Sequence, residues 1–313
     1  MIVASPSSLY SDLDVTAELD APLASHTWFG IGGRADLLIH PNSVEALATL
    51  VARCRRDGIP LRVLGSGANL LVDDDGVDGV VVKLDTPCFK AVEFNAEGPV
   101  QRVRAFGGAS MEALVQELPR RGLTGLEQMA GIPASVGGAI RMNAGGKFGA
   151  VGDAVDAVAM ILPDGSQRVF RRDEIEFGYR HTNLPKGIVA WASFIVREDD
   201  SAACRKRVKE YFKYKKSTQP MEAASAGCMF KNPTMPDGSR ESAGRLIDLA
   251  GLKGLRVGHA FVSDKHGNFL GVEPGATTAD LCALIEAVQQ GVKRVHGVDL
   301  ETEVVYWKRG EGA

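Results

Sequence analysis

Apolar residues recur every three or four positions in several segments of the chain, and they alternate or run together in others. The first such segment predicts a helix, because positions at this spacing share one helical face. Its apolar face consists of Val44, Leu47, Leu50, Val51 and Cys54. Asn42 and Glu45 predict a capping box at the start of this helix, and Gly58 predicts its end.

Further elements follow from the same patterns. Helices are predicted over about 110–121, 201–216, 242–250 and 277–295, and strands over 61–64, 70–72, 80–84, 188–196 and 300–307. The segments 156–162 and 166–170 flank Pro163-Asp164-Gly165 and predict a hairpin. In the last strand, alternation predicts that Glu301 and Glu303 lie on the same face. The order of elements indicates a mixed α+β protein.

The basic helix predicted over 201–216 is followed by Gln219-Pro220, which breaks it and marks the main domain boundary. We therefore expect one domain over residues 1–216, subdivided into about 20–86 and 87–216, and a second domain over residues 217–313. A chain of 313 residues is long enough for such an arrangement.

Composition narrows the classes of function. A content of 45% hydrophobic and 24% charged residues is ordinary for a soluble protein, and the net charge of -3 gives no reason to expect a nucleic-acid partner. Five scattered cysteines without a C-x-x-C pair exclude a disulfide framework and a zinc ribbon, and no metal site is predicted. The N-terminus lacks the pattern of a signal peptide, and the longest apolar stretch, 187–196, is too short to span a membrane. We expect a cytoplasmic protein; composition does not indicate its oligomeric state.

Two segments rich in glycine and small residues are candidates for ligand binding. Gly65–Asn69 lies between two predicted strands and lacks both the third glycine of a Rossmann fingerprint and the lysine of a P-loop. An ordinary tight turn and an anion-binding turn both fit it. The second region, 131–146, favours backbone lying against a large flat or anionic ligand, although an array of glycine-rich turns also fits its spacing.

Six motifs in order carry a resemblance to a known family. They are Thr27–Gly33, Leu64–Leu71, Gly131–Gly145, Phe177–His181, Ser225–Pro233 and Leu300–Val304. Together they resemble the UDP-N-acetylenolpyruvoylglucosamine reductases over about Ser25 to Tyr306. The Tyr179-Arg180 match and the chain length resemble the shorter subtype of that family.

The resemblance implies a fold and an activity. The fold would be a vanillyl-alcohol oxidase/PCMH-type FAD-binding fold of two α/β subdomains, joined to a C-terminal α+β substrate-binding domain. The implied activity is the NADPH- and FAD-dependent reduction of UDP-N-acetylenolpyruvoylglucosamine to UDP-N-acetylmuramate, in the synthesis of peptidoglycan precursors. The ligands would then be NADPH and a small UDP-sugar.

By the same resemblance, FAD would be held by the two glycine-rich segments. The implied cofactor-binding residues are Gly65, Ser66, Gly67, Ala68, Asn69, Leu70, Gly131, Ile132, Pro133, Ser135, Val136, Gly137, Gly138, Asn143, Ala144 and Gly145. Oxidases of this fold often attach the flavin to a histidine beside the first glycine loop. Asn69-Leu70-Leu71 follow the glycines here, so we expect FAD to be bound non-covalently.

The resemblance also selects the catalytic residues. Arg180 would stabilise the negative charge that develops on the substrate carboxylate, for which a forked guanidinium is suited, and Glu303 rather than Glu301 would be the catalytic carboxyl. Hydride would come from flavin N5 and the proton from Cys228, which stands where most relatives have a serine. The implied substrate-binding residues are Tyr179, Lys215, Lys231, Asn232 and His266.

The chain departs from the family pattern at further positions. Lys215 stands where many relatives have an arginine, and it keeps the charge while losing the bidentate geometry. Val272 and Val305 replace an asparagine and an arginine, which puts details of the substrate contacts in doubt.

Two other functions remain open at this point. One is a different FAD-dependent oxidoreductase of the same fold, such as an oxidase acting on an alcohol or a hydroxy acid. The other is a relative that binds FAD or a UDP-sugar without catalysis. Arg180, Glu303 and a protic side chain at Cys228 argue against the second alternative.

The first testable prediction concerns how the flavin is attached. We expect FAD to copurify with the protein and to be released by acid or heat, because no histidine follows the first glycine loop. Visible absorbance of the denatured polypeptide after removal of small molecules measures this directly. Flavin that stays with the precipitated chain contradicts non-covalent binding.

Overall fold

The computed structural model describes residues 6–95, 101–221, 223–235 and 238–311. Its helices are α1 (Val44–Arg56), α2 (Pro87–Lys90), α3 (Met111–Arg120), α4 (Val136–Arg141), α5 (Ser201–Thr218), α6 (Ala243–Leu249) and α7 (Thr278–His296). Across these residues, no helix combines the length and the apolar character that crossing a membrane requires.

The strands are short and fall into several sheets. In the first part of the chain they are β1 (Val15–Pro22), β2 (Arg34–Pro41), β3 (Leu61–Leu64), β4 (Leu70–Val72), β5 (Val77–Lys83), β6 (Val92–Asn95), β7 (Gln101–Phe106) and β8 (Leu123–Thr124). They continue with β9 (Gly145–Gly146), β10 (Gly149–Ala150), β11 (Val155–Ile161), β12 (Gln167–Arg171), β13 (Phe177–Gly178), β14 (His181–Thr182) and β15 (Ile188–Glu198). The last are β16 (Arg256–Val257), β17 (Ala260–Val262), β18 (Leu270–Val272) and β19 (Val305–Trp307).

The first lobe is a sheet in the order β1-β2-β5-β3, in which β5 runs parallel to both β2 and β3. Helix α1 packs on one face of this sheet through Leu47 and Leu50, which are fully buried against Ile39 and Val82. Burial of that apolar face stabilises the helix more than its intrinsic propensity does. The helix matches its prediction except at the cap. Ser43, not Asn42, accepts the hydrogen bond of a helical N–H.

The second lobe is an antiparallel sheet in the order β12-β11-β15-β7-β6. The predicted hairpin is present, with β11 and β12 paired from Ala157 opposite Arg171 to Ile161 opposite Gln167. Helices α3 and α4 supply apolar side chains to the core of this lobe, among them Leu114, Val136 and Ile140. Helix α4 begins directly in the second glycine-rich segment, which places that segment at the edge of the lobe.

The third lobe holds the three-stranded sheet β16-β17-β18 with helices α6 and α7. Both helices have the predicted extents within two residues. The capping box predicted for α1 is absent there, whereas α7 has one, formed by Thr277 and Asp280. The left-handed Gly297 ends α7.

The end of the chain leaves the third lobe and returns to the first. Strand β19 pairs in parallel with β4, with Val305 opposite Leu70 and Trp307 opposite Val72. The buried Arg62 of the first lobe donates to the carbonyl oxygen of Lys308, 3.2 Å away. The prediction of a strand over the whole of 300–307 is therefore wrong. Only its last three residues are strand, because the preceding residues form hydrogen bonds with other loops.

The second testable prediction concerns the contact between the returning tail and the first lobe. The Tyr306 hydroxyl donates to the Asp73 carboxylate, and this hydrogen bond lowers the pKa of Asp73. A carboxyl whose pKa is lowered by folding adds stability above its unfolded pKa of about 3.9 and loses that contribution as pH falls. We expect Tyr306→Phe to lower the free energy of unfolding at pH 7 by about 1 kcal/mol, and by progressively less below pH ~4.

Urea unfolding at several pH values measures this difference. Tyr211→Phe is the matched control, because its ring stacks on Phe148 and its hydroxyl forms no hydrogen bond within the described residues. An equal loss of stability in both variants, or a loss for Tyr306→Phe that does not depend on pH, rules out the proposed contact.

Candidate active site

The glycine loop Gly65–Asn69 connects β3 to β4 and lies against the loop that contains Thr27. The N–H of Trp28 donates to the carbonyl oxygen of Gly67 at 3.1 Å. Gly67 has a positive φ of 69°, and a Cβ at this position would lie 1.9 Å from the carbonyl oxygen of His26. Only glycine fits here. Within the described residues, no backbone N–H of 65–69 donates a hydrogen bond, so this turn has donors available for an anion.

The second glycine-rich segment lies directly against this loop. The Ser66 hydroxyl donates to the carbonyl oxygen of Pro133 at 3.2 Å, and a Cβ on Gly65 would lie 2.6 Å from the Ser135 hydroxyl. Ser135 caps α4 by accepting the N–H of Gly138. The two segments that the sequence singled out separately therefore form one continuous surface between the first and second lobes.

Some predicted cofactor-binding residues serve the packing of the protein itself. The side chains of Leu70 and Val136 are buried in the cores of the first and second lobes. The buried amide of Asn143 donates to the carbonyl oxygen of Gly178 and accepts the N–H of Gly152. Available donors and close-packed glycine backbone fit a ligand with a pyrophosphate, as FAD has, and the loop 65–69 would hold that part.

A cleft of about 580 Å³ opens between the second lobe and the C-terminal lobe. The predicted site residues that line it are Asn143, Gly145, Tyr179, Arg180, Cys228, Asn232 and Glu303. Residues of the second lobe and of the C-terminal lobe thus face each other across one cavity. The described residues contain no cluster of His, Cys, Asp and Glu side chains that could hold a metal ion.

Arg180 is held in an unusual backbone conformation at the tip of the turn between β13 and β14. Its φ of 56° lies in the left-handed region, which residues other than glycine rarely adopt. Its Nε donates to Oε1 of Glu303 at 2.5 Å, and its Nη2 donates to the carbonyl oxygen of Gly145 at 3.2 Å. The Arg180 and Glu303 side chains are only 18% and 12% exposed. Strain of this kind concentrates at functional sites.

Glu303 reaches the same cleft from the C-terminal lobe. Burial raises the pKa of its carboxyl, whereas the charge and the hydrogen bond of Arg180 act in the opposite direction. Glu301 faces elsewhere, because it is 74% exposed and pairs with Lys231 at the surface. The prediction that the two glutamates share one face is wrong. The chain at 300–304 is not a regular strand, so the alternation of side chains does not apply there.

Cys228 lies on the loop that follows α5, opposite Phe269 in an isolated antiparallel bridge. Its side chain is partly exposed at the cleft, yet mostly surrounded by protein. Burial raises the pKa of the thiol to about 12, and the nearby Glu303 carboxylate contributes in the same direction. The thiol is therefore protonated at neutral pH. Asn268 hydrogen-bonds to Cys228 and, through its fully buried amide, to both the N–H and the C=O of Phe230.

Lys215 and Asn232 occupy contrasting positions. Lys215 is 6% exposed on α5, beside Gly131, and its Nζ has no hydrogen-bond partner in the part of the chain described. Burial and then the charge of Arg180 lower its pKa to about 8. An unpartnered buried amine fits an anionic ligand. Asn232 donates its N–H to the Tyr179 hydroxyl and accepts the N–H of Ala243.

Three residues predicted to contact substrate, Lys215, Lys231 and His266, are not among the residues that line the cleft. The Lys231 amine pairs with Glu301 at 2.5 Å on the surface. His266 accepts the N–H of Asn268 and so lies behind the cleft wall. The residue that sequence reasoning missed is Asn268. A single asparagine in a Gly-Asn-Phe segment carries no signal of its own, and only the fold brings it to Cys228.

The prediction for this site distinguishes two effects of a side chain at Gly67, the strain of a left-handed backbone and the close contact with His26. We expect Gly67→Ala to abolish retention of FAD and to destabilise the protein, because its Cβ has no space beside the His26 carbonyl oxygen. Gly58→Ala is the matched control. The φ of Gly58, 65°, is nearly the same, and a Cβ there would have no neighbour within 4 Å. The free energy of unfolding of Gly58→Ala should therefore fall by only about 1 kcal/mol, and this variant should keep its flavin.

Flavin absorbance per protein and the midpoint of thermal unfolding measure both effects. Flavin content of Gly67→Ala equal to that of Gly58→Ala would show that this loop does not hold the cofactor.

The chain is similar to known proteins over nearly its full length. A family model described as an FAD binding domain matches residues 35–171, and one described as the UDP-N-acetylenolpyruvoylglucosamine reductase C-terminal domain matches residues 219–307. The UDP-N-acetylenolpyruvoylglucosamine reductase of Moorella thermoacetica is 40% identical over 312 residues, or 99% of each chain. That of Heliobacterium modesticaldum is 41% identical, covering 90% of this chain and 88% of the relative.

A solved structure agrees with the sequence comparisons. The crystal structure of the UDP-N-acetylenolpyruvylglucosamine reductase from Thermus caldophilus aligns with a TM-score of 0.78 at 39% identity. It covers 94% of this chain and 99% of the other. The mixed α+β FAD-binding fold with an added C-terminal domain, expected from the resemblance, is confirmed. The chain belongs to the UDP-N-acetylenolpyruvoylglucosamine reductase family.

Proposed function

We propose that this protein reduces UDP-N-acetylenolpyruvoylglucosamine to UDP-N-acetylmuramate, with FAD as cofactor and NADPH as reductant. The relatives that it matches over most of their length are named as this reductase. The observation that supports the activity best is the cleft itself, because Arg180, Cys228 and Glu303 converge there from two lobes. These groups match what reduction of an enolpyruvyl ether requires: a cation for the carboxylate, and an acid.

The cofactor would lie along the surface formed by the two glycine-rich segments. The available N–H groups of Gly65–Asn69 would hold its pyrophosphate, and the segments 131–138 and 143–145 would contact the remainder. When bound and reduced by NADPH, FAD would supply the hydride for the substrate double bond. The residues of the chain provide everything else, namely orientation, charge stabilisation and the proton.

Arg180 would bind the substrate carboxylate, into which negative charge spreads as the hydride adds. Its guanidinium is already held by Glu303 and by the carbonyl oxygen of Gly145, so it has little freedom to lose. Preorganised donors of this kind need no rearrangement when the charge develops. Glu303 keeps Arg180 oriented, and its raised pKa allows the carboxyl to take up a proton beside an anionic substrate.

Cys228 would donate the proton to the inner carbon of the former double bond. Its S–H bond breaks as the new C–H bond forms, and the thiolate that remains is reprotonated by solvent before the next turnover. A pKa of about 12 ensures that the thiol carries its proton at neutral pH. The hydrogen bond from Asn268 stabilises the thiolate when the proton leaves. Cys228 would thus be protonated at the start of each turnover.

The remaining contacts would bind the nucleotide part of the substrate. Lys215 does not line the cleft, but it is buried and unpartnered within the described residues, which suits a phosphate, whereas Tyr179 and Asn232 do line the cleft. We keep Lys231 and His266 as weaker candidates for substrate contact because neither lines the cleft and both side chains already have hydrogen-bond partners. We assign residues 1–216 to FAD binding and 217–313 to substrate binding, and we infer a cytoplasmic enzyme, which five free cysteines fit.

The prediction for Cys228 separates the two half-reactions. In Cys228→Ala, NADPH should reduce the flavin at a rate close to that of wild type, because this step does not use the thiol. Reoxidation by the enolpyruvyl substrate should slow about 10²–10⁴-fold, which is the usual contribution of a positioned acid. Cys228→Ser should recover much of the loss, because a hydroxyl occupies the same place.

Anaerobic rapid mixing, followed at the flavin absorbance, measures each rate. Reoxidation of Cys228→Ala by substrate at the wild-type rate would falsify the assignment of Cys228 as the acid. Rapid turnover with oxygen in place of the enolpyruvyl substrate would indicate the alternative, an oxidase of the same fold.

A further inference from the structure

Asn69, the last residue of the glycine loop, is hydrogen-bonded to the returning C-terminal chain on both sides of Val304. Its side-chain Nδ2 donates to the carbonyl oxygen of Glu303 at 3.1 Å. Its own carbonyl oxygen accepts the N–H of Val305, also at 3.1 Å. The pairing of β4 with β19 begins at the next residues, Leu70 and Val305. Asn69 therefore connects the turn with available N–H donors to the segment that carries Glu303.

The main chain of Glu303 is held from a second side as well. Its N–H donates to the carbonyl oxygen of Met229 at 2.7 Å, and Met229 directly follows Cys228. The main chain at Glu303 thus joins the glycine loop to the loop that carries Cys228. The Glu303 side chain contacts Arg180. A shift of Asn69 would move the Glu303 carboxyl relative to both Arg180 and Cys228.

We propose that Asn69 is a positioning residue, whose side-chain amide fixes Glu303 to the glycine loop and couples occupancy of that loop to the geometry of the substrate site. This inference rests on the functions proposed above for the glycine loop and Glu303. Coupling of this kind is reciprocal: if FAD orders Asn69 and thereby favours binding in the cleft, a ligand in the cleft strengthens FAD binding by the same factor.

The chemistry of the side chain fits this role. The contact needs a short side chain with an N–H donor, because the acceptor is the main-chain carbonyl oxygen of Glu303 just before β19 begins. An aspartate would place a charge against that carbonyl oxygen, and a serine hydroxyl would not span the distance. A hydrogen bond of this type has about a 2- to 10-fold effect on a rate or an equilibrium.

The chain offers a matched control in Gln289. Its Nε2 donates to the carbonyl oxygen of Leu300 at 2.9 Å, in the segment that leads to Glu303. Gln289 lies on α7 and belongs to the third lobe, so its bond fastens the same segment without touching the glycine loop. Gln289→Ala and Asn69→Ala each remove one amide-to-carbonyl bond from this segment. Only the second variant breaks the connection to the cofactor loop.

The kinetic test compares the two half-reactions of the holoenzyme in these variants. We expect Asn69→Ala to slow reoxidation by the enolpyruvyl substrate about 2- to 10-fold. Reduction by NADPH should stay within the range of Gln289→Ala, which should resemble wild type in both steps. In a Glu303→Gln background the effect of Asn69→Ala should vanish, because a residue that acts through Glu303 adds nothing once that carboxyl is gone. Equal effects of Asn69→Ala and Gln289→Ala, or full additivity with Glu303→Gln, overturn the proposal.

A second readout does not depend on turnover. FAD dissociation from the holoenzyme is followed by flavin fluorescence on dilution, with and without the product UDP-N-acetylmuramate. Product should slow FAD release from wild type and from Gln289→Ala, and this protection should be about 2- to 10-fold smaller in Asn69→Ala. Unchanged protection in Asn69→Ala refutes the coupling. Normal reoxidation in Glu303→Gln alone instead refutes the catalytic role of Glu303, and the FAD measurement then decides the coupling by itself.

Discussion

The parallel pairing of β19 with β4 is the constraint on which the candidate site depends. Strand β4 begins where the glycine loop ends, and β19 begins two residues after Glu303. The register of Leu70 with Val305 therefore fixes the separation between the loop and the glutamate. Without this pairing, Glu303 would belong to the C-terminal lobe alone and would be free to move with it. The pairing thus links the C-terminal lobe, which carries Glu303, to the first lobe, which carries the glycine loop.

The ion pair of Arg180 and Glu303 depends on that junction. Both side chains are largely buried, so each charge loses hydration and is stabilised by its partner. Removal of either one would leave a buried charge without compensation. In the mechanism we propose, Glu303 would keep the guanidinium oriented while Arg180 binds the substrate carboxylate. Arg180 has a left-handed backbone conformation in the turn between β13 and β14, and its side chain is held by Glu303 and by the carbonyl oxygen of Gly145.

Sequence reasoning succeeded where structure is set locally. Helix α1, the β11–β12 hairpin and helix α7 follow from apolar spacing and turn residues, which act within a few positions of the chain. It failed at 300–304, because the N–H of Glu303 and the carbonyl oxygen of Glu301 bond to Met229 and Lys231, far away in sequence. Alternation carries no information about such partners. Arg180, Cys228 and Glu303 were predicted from the resemblance to the family, and they line one cleft. Asn268 was not found, since its role depends on contacts that only the folded chain creates.

The surroundings of Cys228 suit the role of proton donor that we propose for it. A free thiol has a pKa of about 8.5, so a substantial fraction would be ionised in mildly alkaline solution and unable to donate. Burial and the Glu303 carboxylate suppress that ionisation, whereas Arg180 and Asn268 favour the thiolate. The opposing contributions leave a thiol that keeps its proton in the resting enzyme and is still a stronger acid than a serine hydroxyl. In the mechanism we propose, Arg180 and Asn268 would stabilise the thiolate that remains after the proton is transferred to carbon. Arg180 would thus act on both the substrate carboxylate and Cys228.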